Sequence, residues 1–277
     1  HLFEADHDEA SRLAGKYQSQ RNISVHALAL FNQKTELELN RRHHNALNSI
    51  YAVDTQFLER ENYMVEEFET SDTVKVPAAT IDSLFPDEPI HFLKLDIEGA
   101  ELCALEGAQN QLHTNILGVR SEVTFAPLFH GGPAFGDIQA LMLDHGFELL
   151  NLDYVGKGVP RGPFTMPDRF GRLLSSDAVW VVPPSRVLDQ KGDRLRDDTI
   201  RLAIFCMLNN ATDVAIDLLL QATRDCGVDF TSSSNDPLFR ELHKSVALLF
   251  KSIGYLPSIQ SSDVSAAYTQ IFGRQFP

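Results

Sequence analysis

With 277 residues, 43% hydrophobic and 22% charged, the chain has ordinary globular composition and room for one large domain or a domain with an appendage. Its 24 basic and 38 acidic residues give a net charge of −14, which excludes the broad basic footprint of a general nucleic-acid binder. Cys103, Cys206 and Cys226 form no Cys-x-x-Cys pair, which excludes a disulfide framework and a thiolate zinc site, and no apolar run approaches the roughly 20 residues of a membrane span.

In chain order, His1-Leu2-Phe3 reads as the tail of a strand closed by Glu4. That mid-strand start, without an initiator Met, predicts a piece of a longer protein. Asp6 or Asp8 is placed to cap a helix carrying Ala10, Leu13, Ala14 and Tyr17. Residues 22–30 read as one strand and 31–40 as a hairpin-like pair, with Leu37 and Leu39 alternating. Residues 41–72 are polar and mixed and read as an irregular segment over the sheet, in which Arg41-Arg42 is a solvated turn. Val74–Ala78 reads as a short strand and Thr80–Leu84 as one helical turn. The apolar run PIHFLKLDIEG is the strongest strand and predicts burial on both faces. Ala100–His113 reads as one helix, 117–125 as a strand, Asp137–His145 as a helix stopped by Gly146, and 147–155 and 177–184 as the closing strands. Residues 160–167 read as a Pro- and Gly-rich loop. After Pro184 the pattern turns helical over 199–208, 212–223 and 238–253, with 231–236 as a polar linker. The order predicts an α/β sheet domain over 1–185 and a helical region over 186–277.

The chemistry concentrates at HFLKLDIEGAELCALEGA, residues 91–108. Phe92, Lys94 and Asp96 share one strand face, and Asp96 falls at the carboxyl end, where open α/β sheets form their binding crevice. A carboxylate on such a strand needs a partner or a ligand. Lys94 is a structural ion-pair candidate for Glu122 on the next strand. Glu98 and Glu101 fit the first turn of the following helix, where the helix dipole favours negative charge. Glu4, at the end of its own strand, fits the acidic position that holds a nucleoside ribose, or equally a solvated turn acid. His43, His44 and His130 are loop histidines within reach of general-base work, each more commonly structural. Adjacent His43 and His44 point to different sides and no third ligand is evident, so no metal is predicted.

The run FLKLDIEGAELCALEGA, preceded by TIDSL, resembles the FkbM family of S-adenosylmethionine-dependent methyltransferases. The residues that carry the resemblance are Thr80, Asp82, Leu84, Lys94, Asp96, Glu98, Gly99, Ala100, Glu101, Leu105 and Gly107. Looser similarities lie at Phe3-Glu4-Ala5-Asp6, at 25–37, at 145–152 and at 175–181, so that the resemblance covers roughly residues 1–183. It implies a Rossmann-like methyltransferase sheet whose first strand and glycine-rich turn, expected before Glu4, are missing from the chain. It further implies S-adenosylmethionine as cofactor, with Glu4 on its ribose, Ala27 and Leu28 beside its adenine and Asp96 near the methyl group. The expected activity is O-methylation of a hydroxyl on a sugar, glycan or small natural product, with Asp96, Glu122 and His130 as candidates for the base.

Two other readings fit part of the same pattern: a nucleotide-cofactor oxidoreductase, and a non-catalytic Rossmann-like binding module, which the absent glycine loop favours. The expected partner is a small-molecule or glycan acceptor, with no nucleic acid and no membrane span. The C-terminal helices are a candidate homo-oligomer surface, and a cytoplasmic location is expected.

Overall fold

The computed structural model describes residues 1–158, 171–230 and 261–272, with side chains in the last segment from 265 to 271. The sequence-predicted loop at 160–167, linker at 231–236 and helix at 238–253 lie outside the described residues. The chain divides into two compact units, His1–Trp180 and Val181–Pro277.

The first unit is mixed α/β. It opens with β1 (Leu2–Phe3) and α1 (His7–Tyr17), whose N-terminus is capped by Asp6: the carboxylate accepts from the Asp8 and Glu9 N–H groups. The single strand expected over 22–30 is two: β2 (Val25–His26) pairs in parallel with β1, and β3 (Ala29–Leu30) joins another sheet. β4 (Thr35–Arg42) alternates as its sequence requires, with Leu39 buried and Glu36 and Glu38 exposed. No β3–β4 hairpin forms. After α2 (Thr55–Glu61) comes β5 (Thr70–Ala79), and this ten-residue strand lies between the other two, antiparallel to β4 and parallel to β3.

The segment expected to be irregular is in large part ordered. Leu47, Val53, Phe57, Leu58 and Phe68 from it pack with Leu128, Phe129 and Leu174 as one buried cluster. Arg42 is no solvated turn residue: it is 5% exposed and donates to the Phe68 and Tyr51 carbonyls. A buried guanidinium needs such acceptors to offset its lost hydration.

Next come α3 (Ile81–Leu84), β6 (Phe92–Leu95), α4 (Glu101–Glu106) and α5 (Gln109–Thr114), then β7 (Gly118–Thr124), α6 (Phe135–Asp144), β8 (Glu148–Gly158) and β9 (Arg172–Val181). The third sheet has the order β6-β7-β9-β8, and β6 and β7 run parallel. Among the described residues β6 has a strand partner on one side only. Of its four residues only Leu95 is fully buried, so the expected two-faced burial is not met. Trp180 on β9 is fully buried and donates its indole N–H to Gln139.

The expected helix 100–113 is two helices broken at Gly107-Ala108. A Cβ at Gly107 would lie 2.2 Å from the Phe31 carbonyl oxygen, so the chain passes close to the backbone there. Asp82 then caps α5, accepting from the Asn110 and Gln111 N–H groups, while Thr80 caps α3 through the Ser83 N–H. The Thr-x-Asp-x-Leu segment is thus a capping device.

The second unit holds α7 (Pro184–Leu188), α8 (Gly192–Leu208), α9 (Thr212–Asp225) and a further helix, Ser261–Phe272. Its interior contains Ile200, Leu202, Cys206, Leu218, Leu219, Phe230 and Tyr268. No helix among the described residues is long and apolar enough to cross a membrane.

Candidate functional site

The turn after β6 is built by its own side chains. Asp96-Ile97-Glu98-Gly99 reverses tightly enough that Glu98 adopts φ 54° and Gly99 φ 96°, the left-handed region. Glu101, the first residue of α4, reaches back and accepts the Ile97 N–H at 2.8 Å. Ser49 Oγ donates to the Glu98 carbonyl at 2.6 Å, and the Tyr51 and Phe129 rings would meet any Cβ added at Gly99. The turn is therefore held under the 49–51 segment, and both glutamates are covered. Glu98 is 9% and Glu101 3% exposed; Glu101 stands in the first turn of α4 as expected, whereas Glu98 belongs to the turn before it. Asp96 is the exposed member, with Lys94 Nζ 2.7 Å from its Oδ2. Lys94 thus pairs with Asp96 and not, as expected, with Glu122.

Burial sets the electrostatics. Desolvation, followed by the Glu122 and Glu101 charges, pushes the Glu98 carboxyl up to about 9. Glu122, half-buried on β7, is pushed up to about 8 by desolvation and then by Glu101 and Asp96. Desolvation raises Glu101 to about 7 although the Ile97 amide opposes it. Carboxylate oxygens of Asp96, Glu98 and Glu122 all lie within 4.8 Å of one another. Tyr51, whose hydroxyl is 3.7 Å from Cys103 Sγ, is raised to about 12 by burial.

Asp96 and Glu98 open onto a crevice of about 300 Å³ lined also by Phe3, Glu4, Leu28 and Ile97 among others. Glu4 reaches it from the end of β1. Its backbone N–H is anchored to the His26 carbonyl, and one of its carboxylate oxygens accepts the Asp6 N–H at 2.8 Å. Partial burial raises the Glu4 pKa. Beside it His26 stacks on Phe3.

Of the sequence-predicted site residues, Glu4, Leu28 and Asp96 line this one crevice, and Glu122 joins through its carboxylate. Ala27 is exposed and outside the lining. His130 is exposed on the loop after β7, its backbone N–H donating to the Ala52 carbonyl, and it too lies outside the lining. Sequence reasoning underrated Glu98 and Glu101. The signal was Gly99, which marks a turn before the helix and so removes Glu98 from it.

A family model described as the methyltransferase FkbM domain matches residues 1–149. The chain belongs to the FkbM methyltransferase family. The match takes in the crevice with Glu4, Leu28, Asp96, Glu98 and Glu122, and β9 and the helical second unit lie beyond its end. Neither the search of curated proteins nor that of solved structures returned a match.

Proposed function

We propose that this FkbM protein is an S-adenosylmethionine-dependent O-methyltransferase acting on a hydroxyl of a sugar, glycan or small natural product. The observation that carries the reading is the crevice that joins Glu4 to Asp96 inside the family-matched segment. A Rossmann-like arrangement of the first unit belongs to the same proposal and is supported by the parallel pairs β1–β2 and β6–β7. The fit to the cofactor rests on donor chemistry. Glu4 offers a partly buried carboxylate with one oxygen already oriented by the Asp6 N–H, which suits a ribose diol. Leu28 and Phe3 offer apolar surface for a base. When bound, the cofactor supplies an electrophilic methyl group on a sulfonium.

The chain's own residues orient the acceptor and take its proton. Asp96 stands at the exposed rim, placed to accept a hydrogen bond from an acceptor hydroxyl. Burial raises the proton affinity of the Glu122 and Glu98 carboxyls above neutral pH, to about 8 and about 9, so each is a strong base in its ionised form and that form grows as pH rises. The base is assigned to this group and not to His130. Positioning supplies the larger share, up to about 7–11 kcal/mol in favourable systems.

The full-length protein, incubated with S-adenosylmethionine and a panel of hydroxylated sugars and natural products, should form S-adenosylhomocysteine only when an acceptor is present. Reversible binding of S-adenosylmethionine with no turnover on any hydroxyl acceptor would favour a binding module instead.

A further inference from the structure

We propose that Asp96, Glu98 and Glu122 form a site for one hard divalent cation, of the magnesium, manganese or calcium class, at the wall of the crevice. Each residue presents a carboxylate oxygen, and the three oxygens lie within 4.8 Å of one another. Calcium holds oxygens at roughly 2.3–2.6 Å, so opposed ligands sit about 4.6–5.2 Å apart, and magnesium or manganese needs only a slight inward rotation of the side chains. Three oxygens within 4.8 Å of one another leave a common point no more than about 2.8 Å from each, so small side-chain rotations bring all three onto one ion. An all-oxygen set selects hard cations over zinc or copper.

Glu98 supplies an independent second observation. It is 9% exposed, and among the described residues no group hydrogen-bonds its carboxylate. Ser49 engages its carbonyl instead, and the nearby Arg42, whose charge favours the ionised Glu98, makes its hydrogen bonds to the Phe68 and Tyr51 carbonyls and Thr70 and none to Glu98. A buried carboxylate without a donor, aimed at two more carboxylates, is costly unless a cation or proton joins it. The held turn, with Glu98 in the left-handed region, keeps it aimed there. Lys94 bonds Asp96, in a pair whose partners are both more than half exposed and so readily displaced, and its charge also acts on Glu122. Asp96 and Glu98 also line the crevice, so the ion's remaining positions face it and take water or ligand oxygens. This inference holds whether or not the methyl-transfer reading does.

The test is titration of manganese(II) into chelator-stripped full-length protein, following free ion by electron paramagnetic resonance, with calcium as competitor. One saturable site is expected. Glu98→Gln, Glu122→Gln and Asp96→Asn should each weaken it at least about tenfold, whereas Glu148→Gln, at an exposed acid on β8, should leave it unchanged. Thermal melts run alongside, and manganese should raise the melting temperature of the parent but not of Glu98→Gln. Glutamine matches a protonated glutamate in shape, so that variant keeps the fold. No saturable uptake by the cooperatively folding parent, uptake undiminished in Glu98→Gln, or equal loss in Glu148→Gln would each overturn the proposal.

Discussion

At the scale of single residues, the buried carboxyls tie stability to pH. In the cation-free protein Glu101, Glu122 and Glu98 keep protons to about 7, 8 and 9, whereas the unfolded chain releases them near 4.5. Between those values the folded state binds more protons than the unfolded one. Stability is therefore fully present below about pH 4.5 and falls as pH rises through the folded values, by up to about 1.4 kcal/mol per pH unit for each group. Urea unfolding with chelator present should show at least about 2 kcal/mol less stability at pH ~9 than at pH ~5, and Glu98→Gln should remove part of that slope by stabilising the protein chiefly at the alkaline end. A flat profile, or a slope untouched in Glu98→Gln, would contradict the buried placement. Sequence reasoning singles out Asp96 as the acid in need of a partner or ligand because strand alternation assigns it a face. It could not foresee that the 49–51 segment closes over Glu98 and Glu101, because that contact spans some fifty residues of chain with no local signal.

At the scale of elements, the 80–108 motif organises backbone as much as chemistry. Thr80 caps α3 and Asp82 caps α5, and Gly107, just before α5, lets the chain pass the Phe31 carbonyl. In Gly107→Ala the new Cβ would overlap a backbone atom of the turn after β3, which cannot rotate away. The expected cost is about 2–4 kcal/mol, read by urea unfolding, and an unchanged midpoint would show that the approach is looser than described. The helical turn at 80–84, the strand at 117–125 and the helix ending at Gly146 were legible because their caps, apolar runs and stop residues are local. The break at Gly107 was not, because it depends on Phe31. The pairing of β3 and β4 through β5 was likewise hidden, since half of β5 is polar and exposed and gives no alternation to read.

At the scale of the whole molecule, the mixed α/β character and the helical C-terminal region follow from periodicity alone, and the family follows from the acids and glycines of 80–108. The crevice is a product of tertiary structure: it brings together the end of β1, the segment after β2 and the turn after β6, which are far apart in sequence. In the proposed reading, Glu4 is the residue that holds the cofactor ribose. The most direct measurement is calorimetric titration of S-adenosylhomocysteine into the natural full-length protein and into Glu4→Gln. Saturable binding by the parent, weakened about tenfold or more in the variant by loss of a charged hydrogen-bond acceptor, is the predicted result. No binding by a cooperatively folded parent, or equal binding by both proteins, would contradict the account.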